Sequence, residues 1–321
     1  MHDLLNLLVS SDFYQTALQL STPLIFAALA ALVSNKAGVL NISIEGTMLL
    51  SALAGAIFST LVGNAYFGLL MSALFGVVMG LIFALCTFIL KTHHILVGIA
   101  LNIFATGLAI FIVYAITGNK SDYPSVGLAT FSIPLLKDIP FIGAVIFTDV
   151  NILTILAILS IIVVTFLLNK TVLGLRIRSV GTNEIAAKSV GINPNKTKII
   201  ALLIAGFLAG LGGAYMSLGY MSSFNTGMIA GRGFIGIAAE AIGGGNPLLT
   251  SLFAILFGLV NATSLTAQTF SSFRIPYELL NTLPYIVTIL GLFIYSLIKY
   301  NQKKERKNFP RRKKNEKSLG N

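Results

Sequence analysis

Apolar residues run along this chain in blocks about as long as a membrane crossing. They fall at 13–34, 43–62, 65–90, 95–117, 151–169, 199–220, 232–245, 247–268 and 277–298. A helix needs roughly 20 apolar residues to cross ~30 Å of hydrocarbon. In that layer every backbone N–H and C=O must be satisfied within the protein. The two-residue alternation of an outer-membrane barrel strand is missing from the blocks. The pattern predicts an all-α, polytopic transmembrane helical bundle of about nine passes, within a range of eight to ten. Two places set that range. The seventh block is short and rich in Gly and Ala, which suits a re-entrant segment, and residues 35–46 suit an unwound stretch.

Composition agrees. Of 321 residues, 55% are hydrophobic and 10% charged, with a mean hydropathy of +0.87. A soluble domain carries about 25% charged residues, so this chain lacks the means to cover a water-facing surface. No secretory leader is expected, because residues 1–12 hold Asp3 and Asp12 and no Lys or Arg. Cys86 is the single cysteine, so no internal disulfide can form.

The net charge of +11 changes the picture only once it is located. Residues 299–321 carry ten Lys and Arg against Glu305 and Glu316, a net of +8, which leaves +3 for the rest. Basic short loops mark the cytoplasmic side. The segment 170–198 holds Lys170, Arg176, Arg178, Lys188, Lys196 and Lys198 against Glu184 alone. It reads as cytoplasmic, as do the tail and the short links at Lys36 and Lys91–His94. The segment 118–150, with Asp122, Asp138 and Asp149 against Lys120 and Lys137, reads as outside. Nine passes with the N-terminus outside and the C-terminus cytoplasmic satisfy all of these. The chain divides into a transmembrane domain at 1–298 and a basic tail at 299–321, expected to be disordered and to attract anionic membrane lipid. With the charge so explained, no nucleic-acid partner is expected.

Catalytic chemistry is hard to find. No Walker A pattern occurs, since Gly118-Asn119-Lys120 lacks the remaining glycine spacing and the Ser/Thr. His2, His93 and His94 form no metal-ligand spacing, and no Ser/His/Asp set or paired carboxylates share a segment. The expectation is no catalytic residue, no metal and no cofactor. Gly76 and Gly80, and Gly206 and Gly210, are spaced for close helix packing.

The loop 170–198 carries more than charge. A short helix is written into it, with Asn183 or Thr182 as cap, Glu184 in the first turn, and Lys188 at i+4. Gly191 ends it and Pro194 forbids continuation. Read from the residues alone, it is a docking element or a plain structured loop.

At these residues the chain resembles a known family. Glu184, Ala186, Ala187 and Gly191 are similar to the coupling loop of ABC importer permease subunits, an acidic residue followed by two alanines and a glycine. Residues 204–214, Ile-Ala-Gly-Phe-Leu-Ala-Gly-Leu-Gly-Gly-Ala, resemble the helix that follows it in that family. Ala37–Gly46 and Ala241–Pro247 resemble its N-terminal and C-terminal blocks. The four blocks occur in the family's order over about 35–250. They resemble the branch containing simple-sugar, branched-chain amino acid and nucleoside permeases, and the Asn-Ile-x-Ile-Glu-Gly form most resembles the guanosine/uridine-type subunits. The resemblance implies cytoplasmic ABC ATPase subunits, a second permease subunit, and an extracytoplasmic substrate-binding (lipo)protein as partners. It also implies that Gly181, Asn183, Glu184, Ala186, Ala187, Lys188 and Gly191 form the ATPase-coupling element.

Charged groups at membrane depth face a cavity or a partner. Glu45 follows Asn41 in a segment broken by Gly38 and Gly46, and broken helices are where transporters place ligand groups. Glu45 and Asn41 are therefore the first choice for lining a substrate pathway, with a hydrogen-bond anchor for the break as the plainer reading. Glu240 has the same two readings, with Arg232 as its candidate partner. Asn102 and Thr106 share a face at i and i+4 and contact either a nucleoside or a neighbouring helix. Glu278 is expected to pair with Arg274 at an outside boundary. Transport of a simple sugar or branched-chain amino acid, ion-coupled secondary transport, and a non-transporting membrane scaffold stand as alternatives.

Overall fold

A computed structural model describes residues 11–118, 122–132 and 150–269, with isolated helical positions between 282 and 297. The expected last span at 277–298 is described only at those positions. The Arg274–Glu278 pair, most of the outside loop at 133–149 and the basic tail lie outside the described residues.

Ten helices are described. α1 spans Ser11–Lys36, α2 Ile44–Val62, α3 Ala65–Ala84, α4 His94–Thr117 and α5 Ile152–Lys170. Two short helices follow, α6 at Val172–Thr182 and α7 at Glu184–Ser189. α8 spans Pro194–Ala214, α9 Arg232–Gly243 and α10 Pro247–Thr269. α3 and α8 each end in a wider π turn, at Leu85–Ile89 and Tyr215–Tyr220. Among the described residues, seven helices are long and apolar enough to cross a membrane: α1, α2, α3, α4, α5, α8 and α10. The seventh predicted block instead forms α9, whose 12 residues reach only about 18 Å.

Burial sorts these helices into two layers. The spans of α1, α2 and α8 are 83%, 72% and 72% buried, whereas those of α3, α4, α5 and α10 are between 28% and 39% buried. The first three form the centre and the other four wrap it. The wrapping helices expose large apolar side chains, among them Ile103 and Phe111 on α4 and Ile162 and Phe166 on α5. Exposure on that scale is costly in water and natural against lipid chains.

The bundle has two distinct ends. At the basic end, the turn after Lys36 meets α6, because Gly38 and Gly181 pack backbone against backbone. At the other end, two small antiparallel pairs close the loops. β1 (Asp122–Pro124) pairs with β4 (Ser223–Asn225), and β2 (Thr130–Phe131) pairs with β3 (Val150–Asn151).

The paired glycines do what their spacing predicts. A Cβ on Gly76 of α3 would collide with the carbonyl oxygen of Gly206 on α8, and one on Gly206 would collide with that of Gly76. The two backbones touch, so no larger residue fits without separating the helices. Overpacking of this kind costs about 1–3 kcal/mol or more. Gly76→Val is expected to lower the yield of monodisperse protein in detergent and its thermal midpoint. Gly107→Val, with nothing within 4 Å of the added carbon, is the control that should leave both unchanged.

Candidate functional site

The site is built on two interruptions. After α1 the chain does not turn directly into the next helix. Residues 37–43 run as turn and extended chain before α2 starts at Ile44. Asn41 shapes this entry: its buried Oδ1 accepts from the Ser43 N–H (3.0 Å) and from the Ser43 hydroxyl (2.7 Å). Asn102 on α4 clamps the same stretch from outside. Its Nδ2 donates to the Ile42 carbonyl (3.0 Å) and its Oδ1 accepts from the Gly46 N–H (2.8 Å). An amide offers both a donor and an acceptor, which suits a backbone segment with unpaired groups of both kinds. Thr106, one turn further along α4, donates to the Asn102 carbonyl (3.0 Å) and is exposed on the outer face.

The second interruption precedes α9. After β4 the chain turns inward without helix through Met228 and Ile229, both buried, and α9 begins at Arg232. Here the two breaks meet. The Gly231 N–H donates to Glu45 Oε1 (2.7 Å) and the Gly233 N–H donates to Oε2 (2.7 Å). Glu45 itself stands in the first turn of α2. One carboxylate therefore lies at the N-termini of two helices, where backbone N–H groups and helix dipoles both favour negative charge. α9 then carries the chain about 18 Å to the basic end, where Gly245 lies beside the Lys36 side chain.

Glu240 sits on α9 nearer the basic end and is 3% exposed. Its carboxylate accepts twice from Asn35 Nδ2, at 2.8 and 2.9 Å. Arg232, its expected partner, is two helical turns away and donates through Nη1 to the carbonyls of Met228 (2.8 Å) and Ile229 (3.1 Å). The structure thus brings Asn41, Asn102 and Glu45 together at one break and puts Glu240 at the other end of α9. Thr106 stands apart. Asn35 was not anticipated, and its separation of 205 residues from Glu240 leaves no local pattern to find it by.

The loop 170–198 forms a second cluster at the basic end. α6 was not foreseen as a helix. Thr171 caps it by accepting from the Gly174 N–H (3.1 Å), and its buried positions Gly174, Ile177 and Val180 form one face. The short helix written at 184–190 appears as α7. Asn183 Oδ1 accepts from the Ala186 N–H (3.1 Å), making Asn183 rather than Thr182 the cap. At the other end Ile192 N–H donates to the Ala187 carbonyl and Gly191 N–H to that of Lys188. This is a Schellman ending, and the φ of +82° at Gly191 is why glycine stands there.

Glu184 does not bond Lys188. Its Oε2 takes Lys198 Nζ at 2.6 Å, which ties α7 to the first turns of α8. The Lys198 ammonium also lies 5.7 Å from the Phe88 ring centroid. Of the α7 side chains only Ala187 is buried. Ile185 and, just beyond, Val190 are 83% and 74% exposed, two apolar groups held out at the tip of a short, well-capped helix.

A capped helix projecting apolar side chains from the basic end of a membrane bundle matches a known type of protein. A family model described as "Branched-chain amino acid transport system / permease component" matches residues 13–293. The chain belongs to this permease family. It is a multi-pass cell-membrane transport subunit. The nucleoside ABC transporter permease protein NupC of Lactococcus lactis subsp. cremoris is 33% identical over 282 residues, covering 86% of this chain and 89% of the relative. The guanosine ABC transporter permease protein NupQ of Bacillus subtilis is 34% identical over 280 residues, covering 85% and 88%. The putative glucose ABC transporter permease protein TsgC13 of Haloferax volcanii is 30% identical over 313 residues, covering 90% and 93%. No solved structure matches the chain.

Proposed function

We propose that this chain is the membrane permease subunit of an ATP-driven importer for nucleosides. The similarity to two nucleoside-type permeases over about nine tenths of their length carries the substrate class. The exposed, capped α7 carries the coupling. In this reading the basic end is cytoplasmic and the N-terminus outside. The second and seventh of nine crossings are each a non-helical stretch of turns joined to a helix, 37–43 with α2 and 226–231 with α9. The half-length of α9 thus agrees with nine crossings.

The energy comes from cytoplasmic ABC ATPases that receive α7, with Ile185 and Val190 entering their surface. Gly181, Asn183, Glu184, Ala186, Ala187, Lys188 and Gly191 shape and hold that element. Motion of α7 passes to the bundle by two routes: the Glu184–Lys198 pair drives α8, and the Gly181–Gly38 contact drives the first break. Asn41, Glu45, Asn102 and Glu240 pin the breaks that open and close the pathway, and Thr106 lies on its outer wall. A second permease completes the pathway. The L. lactis protein NupB, also a nucleoside ABC transporter permease, is 35% identical to this chain over 114 residues, which supports a pair of unlike subunits. An extracytoplasmic binding protein delivers the solute.

The glucose-type relative favours one second reading, a simple-sugar permease. Proteoliposomes holding the permeases, the ATPases and the binding protein, supplied with ATP inside, separate the two. Saturable uptake of radiolabelled guanosine or uridine is expected, unaffected by excess glucose, ribose or leucine. Sugar uptake without nucleoside uptake would overturn the nucleoside reading.

A further inference from the structure

Arg232 stands at the first position of α9, where the helix dipole and the free N–H groups favour an anion over a cation. The sequence thus places a guanidinium against the local electrostatic preference. A residue that breaks a local rule points to a contact that offsets the cost. Here the side chain folds back over the non-helical stretch leading into α9. One nitrogen, Nη1, donates both to the Met228 carbonyl (2.8 Å) and to the Ile229 carbonyl (3.1 Å), four and three residues earlier. Met228 and Ile229 are buried, so these carbonyls need partners from within the protein.

The stretch 226–231 is held at both ends. On the β4 side, Asn225 Oδ1 accepts from the Gly227 N–H (2.8 Å) and the Asn225 carbonyl from the Met228 N–H (3.1 Å). Asn225 is itself tied to β1, its Nδ2 donating to Asp122 Oδ1 (2.7 Å). On the α9 side, the Gly231 and Gly233 N–H groups bond Glu45. In between, the backbone is left-handed at two successive residues, Ala230 (φ +48°) and Gly231 (φ +77°). An alanine adopts that conformation only where its surroundings impose it. Arg232 takes the carbonyls just before this turn, and Glu45 takes the N–H groups that follow. One cation and one anion therefore satisfy the two sides of the same break, and their charges attract one another across it. Each offsets the cost of holding the other inside the bundle.

We propose that Arg232 is a positioning residue for transport: it holds the left-handed turn at 230–231 in the shape that offers two N–H groups to Glu45, and the two side chains form one charge-paired unit that sets how fast the pathway opens and closes. The inference rests on the importer reading above. A guanidinium suits the task because its donors are fixed in a plane, whereas a lysine supplies the charge without that geometry. The role is exerted through the backbone, so its loss slows the cycle without weakening engagement of the loaded binding protein.

Guanosine uptake into proteoliposomes carrying the full complex tests it, with the loaded binding protein titrated and rates given per assembled transporter. Arg232→Gln is expected to lower the maximal rate about tenfold or more, the effect of one lost hydrogen bond to a charged group. The half-saturating concentration of loaded binding protein should not change. Arg232→Lys, which keeps the charge, should recover part of the rate. The double variant Glu45→Gln/Arg232→Gln leaves neither charge without its partner, so it should be no slower than the slower of the two single variants. A native maximal rate in Arg232→Gln, or a double variant slowed by the product of the two single effects, overturns the inference. So does a lowered thermal midpoint with normal uptake, which would make Arg232 a brace for the fold alone. Should Arg232→Gln fail to assemble, Arg232→Lys decides: a slowed maximal rate at native half-saturation supports the inference and a native rate overturns it. Failure of the unsubstituted complex to take up any nucleoside overturns the nucleoside-importer reading and this inference together.

Discussion

Glu184→Arg abolishes ATP-driven uptake while the external binding protein still binds its solute. Glu184 holds α7 to α8 through Lys198 at 2.6 Å, and it stands in the first turn of α7, where the helix dipole favours an anion. Arginine there reverses both interactions: it faces Lys198 with like charge and puts a cation at the positive end of the helix. The Glu184 side chain is 49% exposed and that of Lys198 13%, so the pair lies half in solvent, where screening keeps its contribution to the fold small, on the order of 1 kcal/mol. The variant therefore assembles, and its loss is one of transmission between sites. Uptake should fall below detection, with the thermal midpoint little changed. ATP hydrolysis no longer stimulated by loaded binding protein is the second readout. Unimpaired uptake in this variant would remove α7 from the coupling route.

The second large effect is expected at Glu45. Its two oxygens satisfy the N–H groups of Gly231 and Gly233 at 2.7 Å each, in the middle of the bundle. Glu45→Ala leaves the buried Gly233 N–H and the half-buried Gly231 N–H without that acceptor, at a cost of about 1–3 kcal/mol for a buried donor. The start of α9 then loses its tie to α2. Lower thermal stability and strongly reduced uptake are expected together, because one contact holds the fold and the gate. Glu45→Gln keeps an oxygen for one donor but turns an N–H₂ group toward the other, so it should fall between alanine and the native protein. Native stability in Glu45→Ala would show that the junction of the two breaks is not held by this carboxylate.

Much of this architecture could be read from residue patterns because the physics there is local. Apolar blocks give six of the seven long helices at close to their observed ends, since hydrocarbon thickness fixes the length. The exception is α8, which Pro194 opens five residues before the apolar block at 199–220. Asn183 and Gly191 bracket α7 as expected because capping acts within one turn. The glycine pairs on α3 and α8 meet as their spacing suggests.

What the sequence hid is long-range pairing. Glu184 looked to Lys188 by helical spacing, yet a six-residue helix ends in a turn that brings Lys198 closer. Glu240 looked to Arg232 on its own helix, yet α9 lies against α1 and presents it to Asn35. Asn41 and Asn102 bond the residues of the break, the plainer of the readings their polarity left open. Except at Asn41, whose partner Ser43 is two residues on, each side chain satisfies a group on another element, and no pattern along the chain encodes which.

The central claim is that this membrane bundle moves its solute by borrowing ATP hydrolysis through α7. The most direct measurement is nucleoside uptake into proteoliposomes carrying the full complex, with ATP and a protonophore varied independently. Uptake that requires ATP and persists with the protonophore is the predicted result. Uptake by this chain without ATPase subunits, collapsing when the protonophore is added, would contradict the account and mark an ion-coupled transporter.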